Sequence, residues 1–240
     1  MNLIIDIGNT LQKIAVFNND ECVYCQSFPR ISEEVLASVF NHFFIKYSII
    51  SSVAEVGGEI VNFLDRNTKM IPYSHQTKLP VKILYQSAET LGLDRIANAV
   101  GATMTFPKQN VLSIQAGTCL VLDFVNNKGE YLGGSISPGI KMRFDALHEK
   151  TKKLPALSAK NSGLDFLGTD TNSSINSGII NGIRYEIDGF IEDYKTKYEN
   201  IRVILTGGDA VYLQKLIKNT IFAAPNLVLK GLNEIIKYNE

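Results

Sequence analysis

The sequence predicts an α/β protein built from two similar halves, and three observations carry that expectation. Residues 2–28 and 110–132 follow one pattern, strand, small-residue turn, strand, Asn-rich turn, strand, so the chain restarts near Asn110. Outside these copies, strand-length apolar runs alternate with helical stripes, the order that builds a partly parallel sheet. Late in the chain, Ile201 to Leu205 runs into Thr206-Gly207-Gly208-Asp209 and then a helix, another strand-to-glycine junction. The expected division is residues 1–108 and 109–240, two similar domains around a cleft with a phosphate-gripping turn from each side.

The first copy reads as strands Asn2 to Asp6, Leu11 to Phe17 and Cys22 to Phe28, the last pair joined by Asn18-Asn19-Asp20. Its first turn carries Asp6, Gly8, Asn9 and Thr10. Gly8 lets backbone approach a ligand, Asn9 and Thr10 offer polar groups to phosphate oxygens, and Asp6 faces a metal. By themselves these residues serve equally well as an ordinary hairpin turn. Ser32 caps a helix with a stripe of Val35, Leu36, Val39, Phe40 and Phe43, ending near Ile45. Tyr47 to Val53 is strand-like, Gly58 to Asn67 helical and Met70 to Pro72 a short strand.

Residues 73–91 are polar and contain Tyr85; Leu91-Gly92-Leu93-Asp94-Arg95 then opens a helix marked by Ile96, Ala97, Val100 and Met104. Asp94 and Arg95 in or beside the first turn suit either anion binding or plain capping with a solvated arginine. In the second copy Gln115 takes the place of Asp6 and Gly117 that of Gly8, followed by Thr118 and Cys119. Gly133 to Gly139 closes this meander and opens a helix to about His148. It is not a P-loop, because Ile140 stands where that motif needs lysine. After a loop over 150–172, Ser173 or Ser174 caps the longest helix, Ile175 to Tyr198, whose Gly178 and Gly182 suit close packing against another helix or a bound group. Helices at Ala210 to Lys218 and Leu227 to Tyr238 finish the chain.

Lys plus Arg and Asp plus Glu number 24 each, so no bulk charge draws the chain to nucleic acid or an anionic membrane. Its apolar runs are far shorter than the roughly 20 residues of a spanning helix, and Met1 opens no leader pattern, which points to the cytoplasm. Three cysteines are too few for a disulfide framework. Residues three apart on a strand point to opposite faces, so Cys22-x-x-Cys25 reads as strand packing. His42, His75 and His148 are scattered and read as surface or packing residues.

Asp6-x-Gly8-Asn9-Thr10, the Gly117-Thr118 turn and Thr206-Gly207-Gly208 resemble signatures of the acetate and sugar kinase, Hsp70 and actin superfamily. With Tyr85, Gly92-x-Asp94-Arg95, Gly133-Gly134-x-Ile136-x-Pro138-Gly139 and Thr171-x-x-Ser174-Ile175-x-Ser177-Gly178, the resemblance narrows to type III pantothenate kinase. It implies a duplicated ribonuclease H-like (actin-like ATPase) fold, ATP in the cleft, and phosphorylation of the pantothenate hydroxyl to 4'-phosphopantothenate, the first step of coenzyme A synthesis. It further implies a homodimer using Mg²⁺ and a monovalent cation, K⁺ or NH4⁺. By the same resemblance Asp94 is the general base, while Asp6, Gly8, Asn9, Thr10, Gly117 and Thr118 hold metal and phosphates. Gly207 and Gly208 flank the adenine nucleotide. Tyr85, Gly92, Arg95 and Thr171 bind pantothenate, Thr171 from across the dimer interface.

The departure is Gln115, where the family usually has an aspartate that helps bind the monovalent cation. An amide oxygen coordinates without contributing charge, so cation use changes. Two alternatives stand beside an active pantothenate kinase: a weakened paralogue acting as an ATP-binding regulatory protein, and a kinase of another small hydroxy acid.

Overall fold

The computed structural model describes residues 1–8, 10–52, 56–159 and 165–240. The chain divides into two compact units, one of Met1–Lys108, Val125–Leu132 and Asn226–Glu240, the other of Gln109–Phe124 and Gly133–Pro225. The units therefore differ from a single cut after residue 108: a hairpin tip and the last fifteen residues group with the N-terminal part.

The first unit is organised on β1 (Asn2–Ile7), β2 (Gln12–Asn18), β3 (Glu21–Phe28), β4 (Tyr47–Ser52) and β5 (Lys69–Ile71), in the spatial order β3-β2-β1-β4-β5. β1 runs antiparallel to β2 and parallel to β4. Alternation along β1 sends Leu3, Ile5 and Ile7 into a core shared with α1 (Glu33–His42) and α2 (Gly58–Asn67). Ile4 faces the other side, against α3 (Leu93–Thr105) and α7 (Leu227–Asn239). Asp6, two residues on, lies on that second face. Ser32 caps α1, its hydroxyl accepting from the Val35 N–H, as its position predicts.

α3 and α7 touch at backbone level. A Cβ on Gly231 would sit 1.8 Å from the Ala97 carbonyl oxygen, and one on Gly101 would sit 2.4 Å from that of Leu227. That contact seats α3, and the residues at its start, against the sheet.

The second sheet contains β6 (Lys82–Ile83), β7 (Val111–Ala116), β8 (Cys119–Val125), β9 (Glu130–Pro138), β10 (Arg202–Thr206) and β11 (Phe222–Ala223). Their order is β11-β10-β7-β8-β9-β6. Apart from β6, which pairs with Glu130 and Tyr131 at the hairpin tip, this is the order of the first sheet again. β10 runs parallel to β7 as β4 does to β1. In the second unit α4 (Ile140–Glu149), α5 (Thr171–Lys197) and α6 (Ala210–Gln214) cover the sheet through Phe144, Ile179, Ile183, Ile187 and Leu213. The repeat read from the sequence is thus a repeat of topology. Among the described residues no helix is long and apolar enough to cross a membrane.

Several details differ from the sequence reading. α1 stops at His42 because Phe43 turns extended. β9 runs on to Pro138, so Gly133 and Gly134 lie inside a strand; a side chain on Gly134 would strike the Leu122 carbonyl at 1.7 Å. Asp170, not Ser173 or Ser174, caps α5, with Ser173 returning the bond in a capping box. α6 is one short turn and ends at Gln214. Gly178 and Gly182 have no described atom within 4 Å of a built Cβ, so the close glycine packing is at α3 and α7 instead. Cys22 and Cys25 are exposed rather than packed, and a β-bulge brings them to one face.

Gly231→Ala forces two helix backbones apart and is expected to cost about 2–4 kcal/mol. Gly189, exposed on α5 with open space at its Cβ, is the opposite case, and Gly189→Ala is expected to gain about 0.5–1 kcal/mol. Urea denaturation of both variants checks the opposed signs.

Candidate active site

In the first unit the structure brings together residues that are distant in sequence. Asp6 occupies the fifth position of β1, and Gly8 closes the turn after it, its N–H donating to the Leu11 carbonyl at 3.2 Å. Thr10 is exposed, and Asn9 lies outside the described residues. Burial pushes the Asp6 carboxyl up to about 6, with Asp94 adding to the rise and Lys13 opposing it. Lys13 is the direct partner of Asp6 across the β1–β2 ladder, so both side chains share a face. The Lys13 ammonium is tied down by Asn226, whose Oδ1 accepts from Nζ at 3.2 Å.

Asp94 stands in the first turn of α3, whose N-cap is Gly92. A Cβ on Gly92 would lie 2.6 Å from Asp94 Oδ1, so glycine is what lets the carboxylate fold back over the turn. Two side chains from the preceding segment hold that turn from outside. Tyr73 Oη donates to the Leu93 carbonyl at 2.6 Å, and His75 Nε2 donates to the Leu91 carbonyl at 2.8 Å. Burial, then the nearby Asp94 and Asp6, push the Tyr73 hydroxyl far up, so it stays protonated and serves as a donor. Arg95 is buried, and its guanidinium lies over the rings of Tyr85 and Tyr131, 5.8 and 6.0 Å from their centroids. Tyr85 and Tyr131 themselves meet at 6.1 Å, so the arginine rests against an aromatic pair rather than between two separate rings.

The second unit supplies a different kind of surface. Gln115 occupies the fifth position of β7 and has the same burial pattern as Asp6 in β1, opposite Thr206 of β10. Its Oε1 is buried and has no hydrogen-bond partner among the described residues. The Gly117-Thr118 turn is approached from two sides by backbone. Gly139 donates to the Thr118 carbonyl at 3.1 Å, and a Cβ there would meet the Gly117 oxygen at 2.0 Å. Gly207 has a φ of +98°, and a Cβ on it would fall 2.1 Å from the Ala116 oxygen. The N–H of Asp209 donates to that same oxygen at 3.1 Å, while Gly208 is open. Arg143 of α4 pairs with Glu186 of α5, and Ser137 donates to the same carboxylate, which anchors the strand leading into Gly139. Thr171 is exposed at the first position of α5.

Of the predicted residues, Asp6, Gly92, Asp94, Arg95 and Tyr85 are thus gathered in one unit, and Gln115, Gly117, Thr118, Gly207 and Gly208 in the other. Sequence reasoning missed Lys13, Tyr73, His75, Tyr131 and Asn226. Only Lys13 had a local signal, being opposite Asp6 once a two-strand turn at Gly8 is assumed. The donor set suits hard cations bound with phosphates: an acid raised by burial gains from a divalent ion, and an orphaned buried amide oxygen suits a monovalent one. Among the described residues there is no cluster of three His, Cys, Asp or Glu side chains, so no all-protein cage is present.

Residues 2–193 match the family profile described as type III pantothenate kinase. Over its whole length the chain is 42% identical to a type III pantothenate kinase of Phocaeicola vulgatus, covering 99% of that protein. It is 38% identical to one of Flavobacterium johnsoniae, with 99% and 98% of the two chains covered. Among solved structures it is similar to a conserved Campylobacter jejuni protein described as a Baf family transcriptional activator, with a TM-score of 0.62, 24% identity and coverage of 99% and 98%. It is also similar to a glucokinase from an Antarctic psychrotroph, with a TM-score of 0.50, 11% identity and coverage of 100% and 99%. At these identities the two structures speak for the fold alone, the duplicated ribonuclease H-like fold of sugar kinases and actin-like ATPases.

The raised Asp6 acid gives a pH signature. Because its folded-state value lies above the ordinary 3.8, stability from this group is full below about pH 4 and is lost as pH rises through 6. In EDTA, Asp6→Asn is expected to be more stable than the parent by roughly 2–3 kcal/mol at pH 7.5, and by only about 0.5 kcal/mol at pH 4. Denaturant titrations at the two pH values check this.

Proposed function

The chain belongs to the type III pantothenate kinase family, and from that premise we propose that it transfers the γ-phosphate of ATP to the hydroxyl of pantothenate, forming 4'-phosphopantothenate and ADP. The observation that carries the reading is Asp6 at the end of β1 within electrostatic reach of Asp94, which stands in the first turn of α3 beside a buried Arg95. Phosphoryl transfer asks a protein mainly to position groups and balance charge, and this arrangement offers one carboxylate for each task.

Asp94, presented by the first turn of α3, accepts a hydrogen bond from the acceptor hydroxyl and takes its proton as the new O–P bond forms and ADP departs. Tyr73 and His75 brace the turn that aims it. Arg95, resting against the Tyr85–Tyr131 pair, pairs with the pantothenate carboxylate, and Gly92 leaves room for the acceptor. Thr171 contributes to a pantothenate site within a homodimer. Gly8, Asn9, Thr10, Gly117 and Thr118 hold phosphates, while Gly207 and Gly208 provide bare backbone for the nucleotide. Asp6 is the ligand for Mg²⁺, which when bound neutralises charge on the phosphates. The orphaned Gln115 oxygen is a neutral ligand for K⁺ or NH4⁺. We place the activity in the cytoplasm, where ATP and pantothenate meet.

ADP release in a coupled assay tests the reading. Turnover is expected only when ATP, Mg²⁺ and pantothenate are all present, and Asp94→Asn is expected to lower kcat by about 10²–10⁴-fold while nucleotide binding survives. ADP formed equally without acceptor, or full activity in Asp94→Asn, overturns it. Gln115→Asp adds a charge to a site now served by a neutral oxygen. It is expected to lower the K⁺ concentration needed for half-maximal rate, read from a K⁺ titration of the same assay.

A further inference from the structure

The ladder between β2 and β3 slips at Val16/Phe17: Val16 pairs with Tyr24 and Phe17 with Cys22, leaving Val23 as the extra residue of a β-bulge. On a regular strand Cys22 and Cys25 would point to opposite faces. The bulge cancels one step of the alternation, so Cys22 stands opposite Phe17 and Cys25 opposite Ala15, both on the α7 side of the sheet. Both cysteines are exposed on this edge strand. Partial burial pushes the Cys22 thiol up, and the neighbouring Cys25 adds to the rise. Two polar groups of the α7 N-terminal region face them. Asn226 Nδ2 donates to Cys25 Sγ at 3.5 Å, and the Lys230 ammonium favours the thiolate form of Cys22.

We propose that Cys22 and Cys25 form a two-thiolate clamp for a soft, thiophilic ion or metalloid, the class of Cu(I) and trivalent arsenic. Thiolate pairs select such acceptors over hard cations. A bridging atom also suits the spacing better than a direct bond. Next-nearest neighbours on one strand face are about 6.6 Å apart at roughly 3.3 Å per residue, at the long end of the ~4.4–6.8 Å that a disulfide spans. The Asn226 amide and Lys230 compensate the negative charge that two thiolates bring. With an arsenoxide R–As=O, two As–S bonds form, the oxygen leaves as water with both thiol protons, and no atom changes oxidation state. With Cu(I), two S–Cu bonds form and two protons go to solvent.

The test uses the reduced full-length chain under argon, phenylarsine oxide as probe, and a chromogenic disulfide to count remaining thiols. One equivalent of arsenoxide is expected to remove two of the three thiols, and to do so equally in Cys119→Ser. Cys22→Ser and Cys25→Ser, both at exposed positions, are expected to bind the probe about 100-fold more weakly, the usual gain from a second tethered ligand. Circular dichroism of the variants verifies that they are folded. Cu(I) competition against a colorimetric chelator is expected to rank the proteins in the same order. Equal uptake by Cys22→Ser, or no loss of thiols in the parent chain at one equivalent, overturns the clamp. An intrachain disulfide formed with oxidised glutathione, without arsenoxide uptake, overturns it in favour of a direct bridge.

Discussion

A half-buried carboxylate at the end of β1 is the constraint around which the first unit is built. Asp6 is costly to ionise there, and Asp94 nearby makes it costlier. The fold keeps such a group by surrounding it with partners whose own positions are fixed. Lys13 sits across the ladder and is pinned by Asn226, while Tyr73 remains a neutral donor within the same field. In a phosphotransferase this cost has a use, because a cation held beside the phosphates would bring the positive charge that the site lacks. The free protein is thereby poised for a cationic partner rather than for its own comfort.

Duplication produced two sheets of one order, and the fifth position of the leading strand shows how the copies divided their tasks. In the first copy it is an acid among other titratable groups. In the second it is Gln115, an amide with an unfulfilled oxygen, set beside a turn held by Gly139 and Gly207. Glycine is required in the second unit by neighbouring carbonyls about 2 Å from where a Cβ would stand, contacts that no side chain tolerates.

What the sequence made legible followed from local pattern. The repeat appeared because strand, turn and strand recur at close register, and the Asp94-Arg95 helix start appeared because a glycine precedes an apolar stripe. Long-range partners left no such trace. Nothing near Arg95 announces Tyr131, and nothing near Lys13 announces Asn226, since sheet and helix packing create those pairs. The Cys22-Cys25 reading failed for a more instructive reason: strand alternation was applied correctly to a strand that contains a bulge. Gly178 and Gly182 carried the right spacing for close packing, yet the contact belongs to Gly101 and Gly231, on helices far apart in sequence.

The place of α7 in the first unit sets an order of assembly during synthesis. Ile4, Ala15, Phe17 and Ile49 share their core with Val228, Leu229, Leu232, Ile235 and Ile236, and α3 rests on Gly231. None of those partners exists until the ribosome reaches the last fifteen residues, whereas every residue of the second unit has been made by Pro225. Vectorial folding, which ordinarily finishes N-terminal domains first, is inverted here. The half of the chain that is translated first, including Asp6 and Asp94, is the half whose α7-facing core closes last.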